Sequence, residues 1–156
     1  MKDPIHFLAE QPFLHGLDDD KLNLLARESM PTEFREGEVI MSEGGPANRF
    51  YLILEGSVNL DSPVAADESI RIQTIGPGDV LGWSWLLPPY QWQFDARAAT
   101  PVKAIFFYGT RLRELCEENH DLGYELMKRV SAIVVKRMQA ARLDLVECKK
   151  DALLSR

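Results

Sequence analysis

The sequence has few of the residues that support a disulfide framework, a metal cluster or a membrane span. It contains two cysteines in 156 residues, and Cys116 and Cys148 lie in polar helical contexts without a Cys-x-x-Cys pair. This count disfavours a disulfide scaffold, excludes a four-thiolate cluster, and indicates a reducing, cytoplasmic location. No apolar run reaches the roughly 18 residues that span a bilayer, and the opening residues lack a secretory apolar segment. We therefore expect a soluble protein without a membrane partner.

Positive charge is also scarce. The chain carries 18 lysines and arginines against 24 acidic residues, a formal net charge of −6, and a sequence pI near 5.1. Such a balance disfavours a nucleic-acid surface over the whole molecule. Basic residues recur after residue 127, but Asp144, Glu147 and Asp151 interrupt them, as on a solvated helix face. The chain also leaves little room beyond Cys148 for a DNA-reading unit. We expect no direct nucleic-acid partner.

Catalytic motifs are lacking as well. The three histidines, His6, His15 and His120, are scattered, and none lies beside a serine or cysteine in a nucleophile motif. No histidine occurs between residues 81 and 100, which disfavours haem in that segment. The sequence therefore predicts a protein that is not an enzyme, with no catalytic or metal-binding residues.

The patterning that is present divides one domain into three regions. Residues 1–30 read as short N-terminal helices, and residues 109–156 return to a helical pattern. Residues 31–108 hold short apolar runs separated by glycine and proline, which is typical of an all-β roll or barrel. Within that region the polar stretch 61–69 is predicted to be a loop.

A long helix is predicted over 121–148, with Asn119 as its cap. Its apolar residues form two stripes, and two stripes indicate two packing partners: the β-body and a second surface. The length of the helix favours a dimer seam as that surface, and the alternative is a single wide stripe packed within one protomer. The first stripe holds Leu122, Leu126 and Ile133. The second, assigned to a homodimer seam, holds Met127, Val130, Val134, Met138, Ala141 and Leu145.

Residues 13–60 resemble the opening of cyclic-nucleotide-binding domains, as found in catabolite-activator regulators and kinase regulatory subunits. The resemblance is carried by Gly37-Glu38, Glu43-Gly44-Gly45, Tyr51-Leu52-Ile53 and Glu55-Gly56, then by "IGPGDVLG" at 75–82 and "RAAT" at 97–100. It implies a mainly β fold with flanking helices, namely a jelly-roll-like β-roll followed by a long C-terminal helix. It also implies a regulatory or sensory role in signal transduction.

The resemblance places a ligand cassette at 81–100. The family's cassette glycine and phosphate-binding arginine are matched by Gly82 and Arg97, whereas Trp83 stands where the family has a ribose-binding glutamate. An indole donates one hydrogen bond and accepts none, so we expect any cyclic nucleotide to bind weakly. The predicted ligand-binding residues are Gly82, Trp83, Ser84, Trp85, Arg97 and Ala98.

Three interpretations of this cassette remain open. It binds cyclic AMP or cyclic GMP with tryptophan stacking on the base; or it binds another anionic or aromatic small molecule; or its own tryptophans fill it, leaving a ligand-free protein-interaction module. Asp95 is an alternative partner for Arg97, because residues two apart on a strand share a face. The favoured reading is a stand-alone, homodimeric regulatory module. It would relay a ligand signal through the C-terminal helix to a protein partner.

Overall fold

The computed structural model describes residues 4–155 and contains two groups of helices around a β-body. The N-terminal group comprises α1 (Pro4–Glu10), a single 3-10 turn (Pro12–Leu14) and α2 (Asp19–Glu28). Helix α2 begins after Asp18, whose side chain accepts a hydrogen bond from the backbone amide of Lys21 at 2.9 Å. This bond satisfies one of the amides that the first turn of a helix leaves without an internal partner.

Eight strands in the described residues form two antiparallel sheets. They are β1 (Met30–Phe34), β2 (Val39–Met41), β3 (Arg49–Glu55), β4 (Val58–Ala65), β5 (Glu68–Ile75), β6 (Val80–Leu81), β7 (Asp95–Ala98) and β8 (Val102–Tyr108). One sheet has the order β1-β8-β3-β6, and the other has the order β2-β7-β4-β5. The predicted fold class, a mainly β jelly-roll-like roll with flanking helices and a long C-terminal helix, is confirmed.

One local prediction within the β-body was wrong. The stretch 61–69, predicted to be a polar loop, lies mostly in the β4–β5 hairpin, where Asp61 pairs with Arg71 and Pro63 with Ser69. The side chains of this hairpin are mostly exposed on both faces. The stretch 61–69 therefore lacks the apolar alternation by which a half-buried strand is recognised in a sequence.

Strand β3 connects two hydrophobic cores because successive side chains of a strand point to opposite faces. Phe50 and Leu52 enter a core between the first sheet and the helices, together with Trp85. Tyr51 and Ile53 enter a second core that lies between the two sheets. We call these the helix-facing core and the inter-sheet core.

The C-terminal helices are α3 (Gly109–Glu118) and α4 (His120–Leu154). Asn119 caps α4 by accepting a hydrogen bond from the backbone amide of Leu122 at 3.0 Å. The helix continues beyond residue 148, where the sequence pattern was expected to end. Neither α4 nor any other helix within residues 4–155 is both long and apolar enough to cross a membrane.

The apolar residues of α4 divide differently from the two predicted stripes. Leu122, Leu126 and Val130 are all buried in the helix-facing core. Val130 was assigned to the dimer seam, so that assignment was wrong: the residue already packs within the protomer. Met138 and Leu145, in contrast, are 63% and 55% exposed.

Candidate ligand site

Gly82 is required at the turn that follows β6. Its φ is +93°, a left-handed conformation that residues with a Cβ rarely adopt. A Cβ at this position would lie 2.7 Å from the carbonyl oxygen of Arg49 and 2.9 Å from the ring of Trp92. Both backbone conformation and close packing therefore favour glycine here.

The residues after Gly82 form a 3-10 turn, Trp83–Trp85, whose side chains face the protein interior. Trp85 is fully buried in the helix-facing core, with its ring centroid 5.7 Å from that of Phe50. Ser84 is also buried, and Trp83 is half-buried against the same core. The indole nitrogens of Trp83 and Trp85 are buried without a hydrogen-bond partner among the described residues, so each is an unused donor.

Trp92 occupies the space beneath Gly82. It is 7% exposed and belongs to the inter-sheet core. Its backbone is fixed on both sides: its amide donates to Gly45 O at 2.8 Å, and its carbonyl accepts from Gly44 N at 2.9 Å. Trp92 was one of the three tryptophans considered for stacking on a nucleotide base, but it was not among the predicted ligand-binding residues. The signal for it was the concentration of all three tryptophans between residues 83 and 92.

The loop between the 3-10 turn and β7 is attached to α3 by one arginine. Arg113 donates from Nη1 to the carbonyl oxygen of Trp85 at 2.6 Å. Its guanidinium carbon also lies 4.3 Å from the ring centroid of Tyr90, within the range of a cation–π contact. Movement of this loop therefore changes the contacts of α3.

Arg97 lies on the outer face of its sheet. Its β7 neighbours, Ala96 and Ala98, are 0% and 1% exposed, whereas Arg97 is exposed and donates from Nη1 to Gly37 O at 2.7 Å. Gly82, in contrast, packs against Trp92 of the inter-sheet core. The structure thus does not bring the guanidinium to the Gly82 turn, although the family resemblance implied that the two residues share one ligand site.

The alternative partner for Arg97 was also wrong. Asp95 shares its face of β7, but no ion pair joins the two side chains among residues 4–155. Asp95 instead accepts a hydrogen bond from the backbone amide of Glu43 at 2.7 Å. Through these two hydrogen bonds, Arg97 and Asp95 link β7 to Gly37 and Glu43, which lie just before and just after β2. Ligand contact at Gly82, Trp83, Ser84, Trp85, Arg97 and Ala98 stays a prediction.

A second arginine reaches the cassette from α4. Arg137 donates from Nη2 to the carbonyl oxygen of Val80 at 2.7 Å. Burial lowers the pKa of its guanidinium, and the charge of Asp79 opposes that shift. Val80 and Trp85 lie on either side of Gly82, so arginines from two helices hold the two flanks of this turn.

The described residues contain no group of three or more histidine, cysteine, aspartate or glutamate side chains arranged to hold a metal ion. What the Gly82 turn offers is different: unused indole donors, a closely packed tryptophan and carbonyls bound to helical arginines.

Comparison with known proteins agrees with the fold described above. The family model for the cyclic nucleotide-binding domain matches residues 31–119. The crystal structure of a Geobacter metallireducens protein classed with cyclic nucleotide-binding proteins is 34% identical, with a TM-score of 0.77. That match covers 88% of this chain and 99% of the other.

Two longer proteins are also similar. A cyclic-AMP-activated global transcriptional regulator of Mycobacterium tuberculosis is 24% identical over 139 residues, which cover 89% of this chain and 62% of the regulator. The regulatory subunit of a cyclic-AMP-independent protein kinase A from Trypanosoma cruzi, solved bound to guanosine, is 30% identical with a TM-score of 0.66. That match covers 74% of this chain and 40% of the subunit. The chain therefore spans less than two thirds of each of these relatives.

Proposed function

Since this chain belongs to the cyclic nucleotide-binding domain family, we propose that it is a regulatory module that signals through its C-terminal helices. A small ligand acts at the Gly82 turn, and α3 and α4 carry the change to a protein partner. The observation that carries this proposal is the pair of arginine contacts, Arg137 to Val80 O and Arg113 to Trp85 O. The cytoplasmic location and the absence of catalysis remain predictions.

The two arginine contacts couple the Gly82 turn to α3 and α4, and they are strong because a guanidinium is a charged donor. Hydrogen bonds to charged groups contribute about 1.5–3 kcal/mol each. A ligand that moves the backbone on either side of Gly82 must lengthen or re-form at least one of them. The energy of that change is then available to shift α3 or α4.

The ligand is proposed to be a cyclic nucleotide bound weakly, or another small anionic or aromatic molecule. Weak cyclic-nucleotide binding is expected because Trp83 has no acceptor for a ribose hydroxyl and because Trp92 fills the space under Gly82. The guanosine bound to the Trypanosoma cruzi relative supports a wider choice of ligand. Aromatic side chains around the turn would favour a molecule with a planar ring.

The proposal is tested by calorimetric titration of cyclic AMP, cyclic GMP and guanosine into the wild-type protein and Trp92→Ala. Removing the Trp92 indole opens the space beneath Gly82, and we expect binding of the preferred ligand to tighten about tenfold, or ~1.4 kcal/mol. Phe34→Ala is the matched control, since Phe34 packs on the same inter-sheet core from β1. Sub-micromolar binding of cyclic AMP to the wild type would contradict the expected weakness.

The relay is tested separately by amide hydrogen exchange. Ligand should change exchange in α3 and α4 of the wild type, and this change should be lost in the Arg113→Met, Arg137→Met double variant. If the double variant responds like the wild type, the two arginine contacts do not transmit the signal.

A second candidate function is a ligand-free interaction module. It is favoured by one observation, the packing of Trp92 against Gly82, which leaves the turn already filled. This function predicts no calorimetric signal with any of the three compounds, in the wild type or in Trp92→Ala, and an unchanged tryptophan fluorescence spectrum.

Assembly as a homodimer is part of the proposal. Met127, Met138 and Leu145 are exposed apolar side chains of α4. They lie eleven and then seven residues apart, spacings that return to the same face of a helix, as in a two-helix seam. A twofold axis along α4 would bury these side chains against their copies. The two ligand signals would then meet at one shared helix pair.

A further inference from the structure

A groove lies between α4 and the turn that connects β5 to β6. It has a volume of about 380 Å³, and neither Gly82 nor Trp92 is among its lining residues. The turn contributes Gly78 and Asp79, and α4 contributes Arg129, Lys136 and Arg137. We call this space the α4 groove. Its size is within the range of small-molecule sites.

The cations of the α4 groove are not neutralised equally. Arg129 forms an ion pair with Glu125 and donates to His15 O at 2.6 Å. Arg137 and Lys136, in contrast, have no carboxylate within 4.0 Å among residues 4–155. Two positive charges thus remain without a close counter-charge.

Of these two cations, Arg137 has the less complete hydrogen bonding. One of its terminal nitrogens donates to Val80 O, and the other, Nη1, is buried without a hydrogen-bond partner among the described residues. Leaving a charged donor buried and unpaired costs free energy. Asp79 is the one carboxylate of the lining, and its Oδ2 accepts from Gly76 N at 2.9 Å. The lining therefore carries three cations and one anion.

The other walls of the groove are apolar. Ile75 and Val80 are buried on the β-body side, Phe13 is buried in the N-terminal 3-10 turn, and Ile133 lies on the α4 side. A ligand that complements both the charged lining and the apolar walls has an anionic group, which contacts the two cations, and a carbon skeleton, which packs on the apolar walls. Phosphate suits the cations best, because its oxygens accept from a planar guanidinium and an ammonium together.

We propose that the α4 groove is a second ligand site, which binds a small phosphorylated organic molecule through Lys136 and Arg137. It goes beyond the proposed function, since it lies outside the Gly82 turn. A ligand here supplies the missing counter-charge and fastens α4 to the β5–β6 turn. The position of α4 therefore depends on two small molecules.

The experiment uses the full chain and three probes: inorganic phosphate, adenosine 5′-monophosphate and adenosine. Thermal melts and calorimetry should detect the monophosphate, weaker binding of inorganic phosphate, and no binding of adenosine. Lys136→Gln and Arg137→Gln should each weaken the monophosphate at least about tenfold. Arg142→Gln is the matched control, an exposed arginine of α4 outside the groove, and it should leave binding unchanged.

Three outcomes would overturn the site. The first is no response of the melting temperature to either phosphate compound at about 10 mM, well above a useful dissociation constant. The second is adenosine binding as tightly as the monophosphate, which would mean recognition of the ring. The third is equal weakening by Arg142→Gln, which would mean diffuse attraction to α4. Lys136 is exposed and makes neither of the two arginine contacts described above. The α4 groove is therefore distinguished from the Gly82 turn if Lys136→Gln loses monophosphate binding while Trp92→Ala still tightens binding of the preferred ligand of the turn.

Discussion

At the scale of single residues, Gly82 has the most demanding position in the site, and Gly44 provides its control. Both have a positive φ, +93° and +85°, but a Cβ at Gly44 meets nothing within 4 Å, whereas one at Gly82 meets Arg49 O at 2.7 Å. We expect Gly44→Ala to lower the free energy of unfolding by about 1 kcal/mol, the cost of a left-handed backbone. Gly82→Ala should cost about 3 kcal/mol, because the contact is added.

Urea unfolding followed by tryptophan fluorescence measures both changes. Equal destabilisation by the two substitutions would contradict the close packing described at Gly82. A larger loss of stability in Gly82→Ala than in Gly44→Ala would also show that the Gly82 turn cannot accommodate a Cβ without moving Trp92.

The same scale shows how much of the site the sequence could predict. Gly82 was assigned to the cassette by the family resemblance, and its positive φ at the start of the 3-10 turn gives the physical reason for a glycine there. The position of Arg97 relative to Gly82 was not predictable from their spacing. The signal was the alternation Ala96-Arg97-Ala98, in which small apolar residues flank the arginine and predict that it faces outward.

At the scale of elements, Arg129 attaches α4 to the segment after the N-terminal 3-10 turn by donating to His15 O, and within α4 it pairs with Glu125. The hydrogen bond from Arg129 lowers the pKa of Glu125 from its usual 4.5, although burial opposes this shift. Because the folded-state pKa is the lower one, the pair stabilises the fold above pH 4.5. That stabilisation is lost as the pH falls through the folded-state pKa.

Glu125→Gln should therefore flatten the acid limb of the melting curve, so that the wild type and the variant converge once the pH is below the lowered pKa of Glu125. Melting temperatures between pH 3 and 6 provide the measurement. Glu117→Gln is the control, because Glu117 is exposed and forms no ion pair within residues 4–155. A steeper acid limb in Glu125→Gln would reverse the assigned sign.

Among the elements, strands with a run of apolar residues were predictable and the tip of the β4–β5 hairpin was not. Strand β3 has a buried residue on each face at successive positions, so its apolar run was recognised. Most of β5 was also predicted, because isoleucines alternate with polar residues from Ile70 to Ile72. The stretch 61–69 was missed because it has no such alternation, and its strand conformation comes from pairing within the hairpin.

At the scale of the whole molecule, the proposed homodimer makes a prediction at Met138. This side chain is 63% exposed on α4 and lies within the proposed seam. Met138→Glu would place two like charges against each other across the twofold axis, which disfavours association. We expect the wild type to sediment as a dimer at micromolar concentration and Met138→Glu as a monomer.

Gln139→Glu adds the same charge one position along the helix and should remain dimeric. Unlike Val134, which is partly buried in the protomer, Met138 can be changed without disturbing the helix-facing core. A wild-type monomer at high micromolar concentration would reject the seam.

The length of α4 has a further consequence. The helix has 35 residues, or about 52 Å at 1.5 Å per residue, and every described position after Arg137 is exposed. Its packed first half has already met the nucleation cost, so the exposed half needs only propagation, for which the equilibrium constant per residue is near one. In a single chain, turns at the exposed end therefore melt and re-form at little cost in free energy, whereas the proposed dimer would hold them helical. A helix–coil balance would then set the distance at which the proposed partner meets the module, and any contact that favours one more turn would lengthen the reach of α4.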